Sequence, residues 1–135
     1  MSNLKQVAAV AVRRQVSGKL EVLLVTSRET RRWVVPKGWP WPEVPDHEAA
    51  AAEAWEEAGV RGRVLADRLG VYTYEKRRDG SHLAVDVVAY LLEVSDEESI
   101  WPEMDERQRA WFNLAEAAQA VEEPELKALL LSLDA

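Results

Sequence analysis

The chain has 135 residues, a formal net charge of −7 at pH 7 and 47% hydrophobic residues. This length suits one domain with a core of its own, and the hydrophobic content argues against disorder. The acidic balance argues against nucleic-acid binding, which needs a basic surface. Because the chain has no cysteine, disulfides and thiolate metal sites are excluded, and a reducing compartment fits.

The amino-terminal stretch MSNLKQVAAVAVRR shows neither a membrane span nor a signal peptide. Its apolar run is too short to cross a bilayer, and no long apolar stretch leads to a small-residue cleavage site. We therefore expect a single domain over residues 1–135, located in the cytoplasm and without membrane association.

Two β-rich runs open the chain, joined by turn residues at 16–19. The second, LEVLLVTS, is nearly all apolar, which indicates a strand buried on both faces. The polar segment 28–32 is predicted to be a loop, and WVVP a short strand that ends at Pro36. The segment 37–45, KGWPWPEVP, is rich in glycine and proline and is predicted to be irregular.

A helix of about three turns is predicted between Asp46 and Gly59. Asp46 suits the N-cap, and Gly59 suits a left-handed stop after the last turn. At roughly 100° per residue, one arc of the helix holds residues expected to pack on a sheet. They are Ala51, Ala54, Trp55 and Ala58.

The second half of the chain adds strands and two helices. A strand with a break near Gly70 leads to a hairpin at 79–80 and the long returning strand HLAVDVVAYLLEV. An acidic loop, SDEESIWPEMDE, precedes the strand RAWFNL and the helices AEAAQAV and PELKALLLSL. The order β-β-β-α-β-β-β-α-α predicts an α+β fold, an α-β-α sandwich with a mixed sheet. The loops at 28–32, 36–46 and 95–106 are expected to carry function.

Glu53, Glu56 and Glu57 lie at i, i+3 and i+4 of the predicted helix, with no Lys or Arg between Lys37 and Arg61. Like charges at these spacings destabilise a helix by about 0.2–0.5 kcal/mol per pair, and the helix dipole disfavours carboxylates in the last turn. A solvated face is the ordinary interpretation. A bound divalent cation is the alternative, because Mg²⁺ and Mn²⁺ prefer oxygen ligands. The spacing alone leaves both open.

The segment 38–60 resembles the signature of the Nudix hydrolases. That signature is a Gly, five residues, a Glu, seven residues, then Arg-Glu-apolar-x-Glu-Glu-x-Gly-apolar. The residues in register are Gly38, Glu53, Glu56, Glu57, Gly59 and Val60. Two positions depart, since Val44 stands at the first Glu and Ala52 at the Arg. With the LLV run before the motif and the later WF…EA stretch, the resemblance covers residues 4–133.

Within this family, SRETRRWVVPKGWP followed by EAAAAEAWEEAGVRG resembles the diphosphoinositol polyphosphate and diadenosine polyphosphate hydrolases. The resemblance implies hydrolysis of a phosphoanhydride bond in a small phosphorylated substrate, with Mg²⁺ or Mn²⁺ as cofactor. It implies that Glu53, Glu56 and Glu57 hold the metal, with the Lys37 carbonyl and the Gly38 backbone beside them. Glu57 or Glu56 is expected to take the proton of the attacking water.

Arginine suits bidentate phosphate contacts, although basic residues in loops are ordinarily just exposed. Among the basic residues before the motif, the resemblance implies that Arg28, Arg32 and Lys37 contact substrate phosphate. Glu97 and Glu98 in the acidic loop are either an additional metal ligand or a solvated run.

Trp39 and Trp41 flank Pro40, and we expect them to pack in their loop rather than to stack on a base. The departures at Val44 and Ala52 leave open a module of the same fold that binds phosphorylated ligands without turnover. A structural domain whose glutamates are only solvated is the third alternative. The fold is also compatible with a homodimer.

Overall fold

A computed structural model describes residues 3–133, apart from the side chain of Arg78. Within that range the helices are α1 (Asp46–Ala58), α2 (Leu114–Ala120) and α3 (Pro124–Ser132). The strands are β1 (Leu4–Arg14), β2 (Leu20–Thr26), β3 (Trp33–Val34), β4 (Lys37–Gly38), β5 (Val60–Val64), β6 (Gly70–Arg78), β7 (Ser81–Glu97) and β8 (Arg109–Asn113).

The described strands form one mixed sheet with β1 and β7 at its centre. These two strands run parallel, while every other pairing is antiparallel. On one side β2 joins β1 to β3 and β8, and on the other β7 pairs with both β5 and β6. The run QVAAVAV in β1 is buried throughout, because helices cover both faces of the central strands.

The two faces of the sheet carry separate apolar cores. The alanines of α1 close one face, where Ala50 and Ala54 are fully buried against Val7 and Leu23. Leucines of α2 and α3 close the other face, as Leu126 and Leu130 pack around Tyr72. The predicted α-β-α sandwich is thus confirmed. No helix among residues 3–133 has both the length and the apolar character needed to cross a membrane.

Helix α1 differs from the prediction at its start and in its orientation. Pro45 occupies the N-cap, and Asp46 is the first helical residue, with its carboxylate paired to the Lys5 ammonium. Gly59 takes the expected left-handed conformation, with φ of 69°. The buried face is made of Ala49, Ala50, Glu53, Ala54, Glu57 and Ala58.

The predicted apolar arc of α1 was therefore partly wrong. Ala51 and Trp55 are only half-buried, and the Trp55 ring lies under the Arg61 guanidinium, 3.8 Å from its centroid. Glu53 and Glu57 are turned into the protein instead. There they meet β4, a two-residue strand that pairs with β1 within a segment expected to be irregular: the Glu53 carboxyl group lies against Gly38, and Glu57 accepts from the Lys37 N–H.

Candidate metal and phosphate site

A cleft of about 680 Å³ opens between β4, α1, β6 and the loop that joins β7 to β8. Among the described residues that line it, the acidic ones are Glu29, Glu53, Glu57, Glu75 and Glu103. The basic ones are Arg28, Arg32, Lys37, Lys76, Arg77 and Arg107. Carboxylates on one helix face and cations around them are the groups needed to handle a metal-bound phosphate.

Gly38 lies directly against the Glu53 carboxylate. A Cβ built at this glycine would overlap the carboxyl group, so the absence of a side chain is what lets Glu53 reach the β4 backbone. Glu53 is 9% exposed. Burial, followed by the charge of Glu56, raises its pKa. The motif glycine and the motif glutamate, 15 positions apart in the printed numbering, thus form one contact.

Glu57 is buried deeper, at 5% exposed. Its Oε1 accepts a hydrogen bond from the Lys37 backbone N–H at 3.3 Å, and its Oε2 lies 3.6 Å from Arg107 Nη2. Burial raises the pKa of Glu57 to about 8, although the Arg107 charge acts in the opposite direction. A carboxyl group perturbed in this way inside a cleft is a candidate for metal binding or proton transfer.

Glu56 differs from its two neighbours, because it is half-buried and does not line the cleft. Its charge is still near enough to raise the pKa of Glu53. Over the described residues, no three acidic or histidine side chains converge closely enough to enclose an ion. A ligand role for Glu56 and a three-glutamate site therefore stay predictions.

The loop between β7 and β8 caps the carboxyl end of α1. A helix end leaves its last four carbonyls without helical partners. The Trp55 carbonyl accepts from the Gly59 N–H, and the Glu56 carbonyl accepts from the Glu103 N–H, both at 3.0 Å.

The two remaining carbonyls are satisfied by side chains from the same part of the chain. Trp101 Nε1 donates to the Glu57 carbonyl at 3.1 Å, and Arg109 Nη1 donates to the Ala58 carbonyl at 2.8 Å. The Arg109 guanidinium also stacks on the Trp101 ring, 3.8 Å from its centroid. A positive charge at this helix end offsets the dipole that disfavours the glutamates there.

This loop brings two residues to the cleft that the sequence analysis missed, Glu103 and Arg107. Arg107 Nε donates to Glu103 Oε1 at 2.7 Å. The i, i+4 spacing of opposite charges beside Trp101 was the available signal. Glu97 and Glu98, the predicted loop candidates, do not line the cleft.

Glu97 and Glu98 instead form ion pairs with arginine side chains outside the cleft. Glu97 accepts from Trp111 Nε1 at 3.2 Å and lies 3.5 Å from Arg109 Nε. Glu98 Oε1 lies 4.0 Å from Arg61 Nη1. Both carboxylates therefore help to fasten the loop rather than to face the cleft.

The three predicted phosphate contacts all line the cleft, but they differ in availability. Arg28 is largely exposed and donates to Glu106 Oε1 at 3.2 Å. Arg32 Nη2 donates to the buried Glu123 at 2.7 Å, while its Nη1 is buried and has no partner among the described residues. Burial lowers the pKa of Lys37 to about 8, and its Nζ lies 4.6 Å from the Tyr74 ring centroid. Their roles stay predictions.

Trp39 and Trp41 do not pack as expected, since they are 41% and 42% exposed. Trp39 lines the cleft, because the chain after β4 runs along the surface. The departures from the signature lie elsewhere. Val44 packs against the apolar core under α1, and Ala52 is half-buried on the helix.

The divalent cation implied by the resemblance fits these residues. Glu53 and Glu57 of α1 and Glu103 of the loop after β7 line the same cleft and offer carboxylate oxygens, and Lys37 and Gly38 of β4 line it as well. Hard oxygen donors of this kind suit Mg²⁺ and Mn²⁺. The burial of two carboxyl groups side by side, which raises the pKa of both Glu53 and Glu57, is the structural observation that favours a cation here.

Comparisons with known proteins show the family of this chain. The model of the NUDIX domain matches residues 4–132. Nudix hydrolase 13, mitochondrial, of Arabidopsis thaliana is 38% identical over 109 residues, which are 75% of this chain and 53% of that protein. Diphosphoinositol polyphosphate phosphohydrolase 2 of Rattus norvegicus is 37% identical over 104 residues, 76% of this chain and 55% of that protein.

Among solved structures, the binary complex of a C. elegans Ap4A hydrolase superposes with a TM-score of 0.70 at 25% identity. The match covers 96% of this chain and 94% of that one. The chain spans about half the length of the curated relatives described above.

Proposed function

Because the chain belongs to the NUDIX family, we propose that it is a metal-dependent pyrophosphohydrolase that splits a phosphoanhydride bond in a small phosphorylated compound. The observation that carries this proposal is the placement of two buried glutamates of α1, Glu53 and Glu57, in a cleft ringed by cations. The cofactor proposed is Mg²⁺ or Mn²⁺, with Glu53, Glu57 and Glu103 as its ligands. Glu56 and the backbone of Lys37 and Gly38 complete the proposed set.

When bound, the cation supplies charge neutralisation and an activated water. The protein contributes position and proton transfer. Glu57 is proposed to receive the proton of the attacking water at a carboxylate oxygen, because its buried carboxyl group lines the cleft. Glu56 remains the alternative base. Lys37 and Arg28 are proposed to hold substrate phosphate at the cleft wall.

The substrate class proposed is a diadenosine polyphosphate or a diphosphoinositol polyphosphate. The cationic lining supports a compound with several phosphates, and the exposed Trp39 at the cleft supports one that carries a base. Two similar proteins are named for such compounds. We propose a single domain over residues 1–135, a cytoplasmic location and, as an open possibility for assembly, a homodimer.

The test is product release from a panel of diphosphate compounds with Mg²⁺ or Mn²⁺ present. We expect Glu57→Gln to lose about a hundredfold or more in kcat, as for removal of a general base. Glu48→Gln is the matched control, because Glu48 lies exposed in the first turn of the same helix and away from the cleft. Absence of metal-dependent turnover on every compound, or full activity of Glu57→Gln, would refute the proposal.

A second candidate is a binding module of the same fold without turnover. Val44 and Ala52, which replace the Glu and Arg of the signature, favour it. Calorimetry with the same panel separates the two, because a module binds phosphorylated ligands tightly and releases no product. The buried, perturbed Glu57 in the cleft makes the enzyme the first choice.

A further inference from the structure

Arg107 is a cationic partner of Glu57, one of the three glutamates that have no Lys or Arg near them in the sequence. Its side chain is 9% exposed and lies between Glu57 of α1 and Glu103 of the loop after β7. Nε donates to Glu103 Oε1 at 2.7 Å, and Nη2 lies 3.6 Å from Glu57 Oε2. Nη1 donates to the Thr26 carbonyl at 3.1 Å. Nε and Nη1 therefore each donate a hydrogen bond, and Nη2 takes part in an ion pair.

The surroundings of Arg107 hold it in that place. Gln108, the next residue, exchanges two hydrogen bonds with Thr26 at the end of β2, at 2.9 and 3.0 Å. On the other side, the Glu103 N–H is bonded to the Glu56 carbonyl of α1. The guanidinium thus lies between the end of β2 and the end of α1 and contacts both.

We propose that Arg107 is the positioning residue of the metal site, holding the carboxylates of Glu57 and Glu103 in the orientation that a divalent cation needs. The inference rests on the proposed function and adds to it the source of support that Ala52 does not provide. Arginine suits this role because its rigid planar fork can hold two carboxylates at once, whereas lysine offers a single point charge. Groups that orient metal ligands typically contribute about 10–100-fold to affinity or activity.

Two opposing effects decide whether replacing Arg107 lowers or raises the affinity for Mn²⁺. Arg107 orders two carboxylates, which favours metal binding, but its positive charge also repels a cation. Ordering prevails if the ligands are otherwise free to turn, and Glu103 sits in a loop where Arg107 is its ion-pair partner. We therefore expect Arg107→Met to weaken Mn²⁺ binding about tenfold or more, measured as free Mn²⁺ by electron paramagnetic resonance.

The kinetic readout separates positioning from substrate contact. In Arg107→Met, kcat falls along with Mn²⁺ affinity, while KM for the best compound of the panel stays within about threefold. Arg107→Lys recovers part of both losses because it keeps one of the two carboxylate contacts. Arg63→Met is the matched control, since Arg63 on β5 is 79% exposed and pairs with the exposed Glu93. Circular dichroism and thermal melting confirm that each variant folds.

The outcomes distinguish this inference from the proposed function. Wild-type protein that neither binds Mn²⁺ nor turns over any compound overturns both. Wild-type protein that does both, with Arg107→Met binding Mn²⁺ equally or more tightly, overturns the positioning role alone. Unchanged Mn²⁺ affinity with a raised KM also overturns it, because the guanidinium would then contact substrate phosphate.

Discussion

Metal binding at this site should depend steeply on pH, because Glu57 must lose a proton to act as a ligand. Burial raises the pKa of Glu57 from 4.5 to about 8 in the metal-free protein, and the nearby Glu53 adds to the effect against the opposing charge of Arg107. Where a cation displaces one proton, its apparent affinity changes about tenfold per pH unit. We therefore expect Mn²⁺ affinity to rise about tenfold per unit up to pH 8 and to level off above it.

The raised pKa of Glu57 also determines how the stability of the metal-free protein changes with pH. Between pH 4.5 and about 8 the folded protein retains a proton on Glu57 that the unfolded chain has released. The metal-free protein should therefore lose stability as pH rises across that window, and added Mn²⁺ should restore it. A displaced proton is counted by titrating Mn²⁺ calorimetrically in two buffers of different ionisation enthalpy.

The matched variant is Glu57→Gln, which has no carboxyl proton to release at position 57. A plot of log Mn²⁺ affinity against pH should therefore show one proton fewer released than in the wild type. Glu48→Gln should keep the wild-type slope, because Glu48 is exposed and distant from the cleft. A Mn²⁺ affinity that is flat between pH 6 and 8, or an unchanged slope in Glu57→Gln, would refute the reasoning.

Three further variants test the surroundings. Gly38→Ala should keep the fold but weaken Mn²⁺ binding about tenfold, because its Cβ displaces the flexible end of Glu53; unchanged affinity contradicts this. Glu123→Gln should lower KM for compounds with three or more phosphates by freeing Arg32, and an equal KM counts against it. Trp101→Phe should lower the free energy of unfolding in urea by about 1 kcal/mol, because it removes the hydrogen bond to the Glu57 backbone carbonyl. An unchanged free energy of unfolding contradicts this.

The sequence was sufficient for the register of the motif, for the three helices and for the order of six strands, because these depend on local patterns; β4 and the division of one predicted strand into β5 and β6 go beyond that order. Gly59 ends α1 as its position in the motif predicts, and its neighbours leave no room for a side chain. The break near Gly70 separates β5 from β6 as expected. These features follow from backbone preferences over a few residues.

The composition of the cleft was beyond local reasoning. Alanine spacing alone predicted the buried face of α1 about one residue position out of phase, because it did not place Glu53 and Glu57 against β4. Glu103 and Arg107 reach Glu57 through a loop about fifty residues further along the chain, where nothing in the loop's own pattern points to α1. Contacts of this kind are decided by tertiary packing.

Val44 and Ala52 are best understood together as one physical change. If an Arg at position 52 stood without its Glu at position 44, a partly buried charge would lack its partner, and such a loss costs about 3–5 kcal/mol. Replacing both charges with apolar side chains is often neutral or stabilising, and Val44 does pack against the core beneath α1. Because Glu53 and Glu57 still line the cleft and Arg107 Nη2 lies 3.6 Å from Glu57 Oε2, the paired departure carries little weight against catalysis.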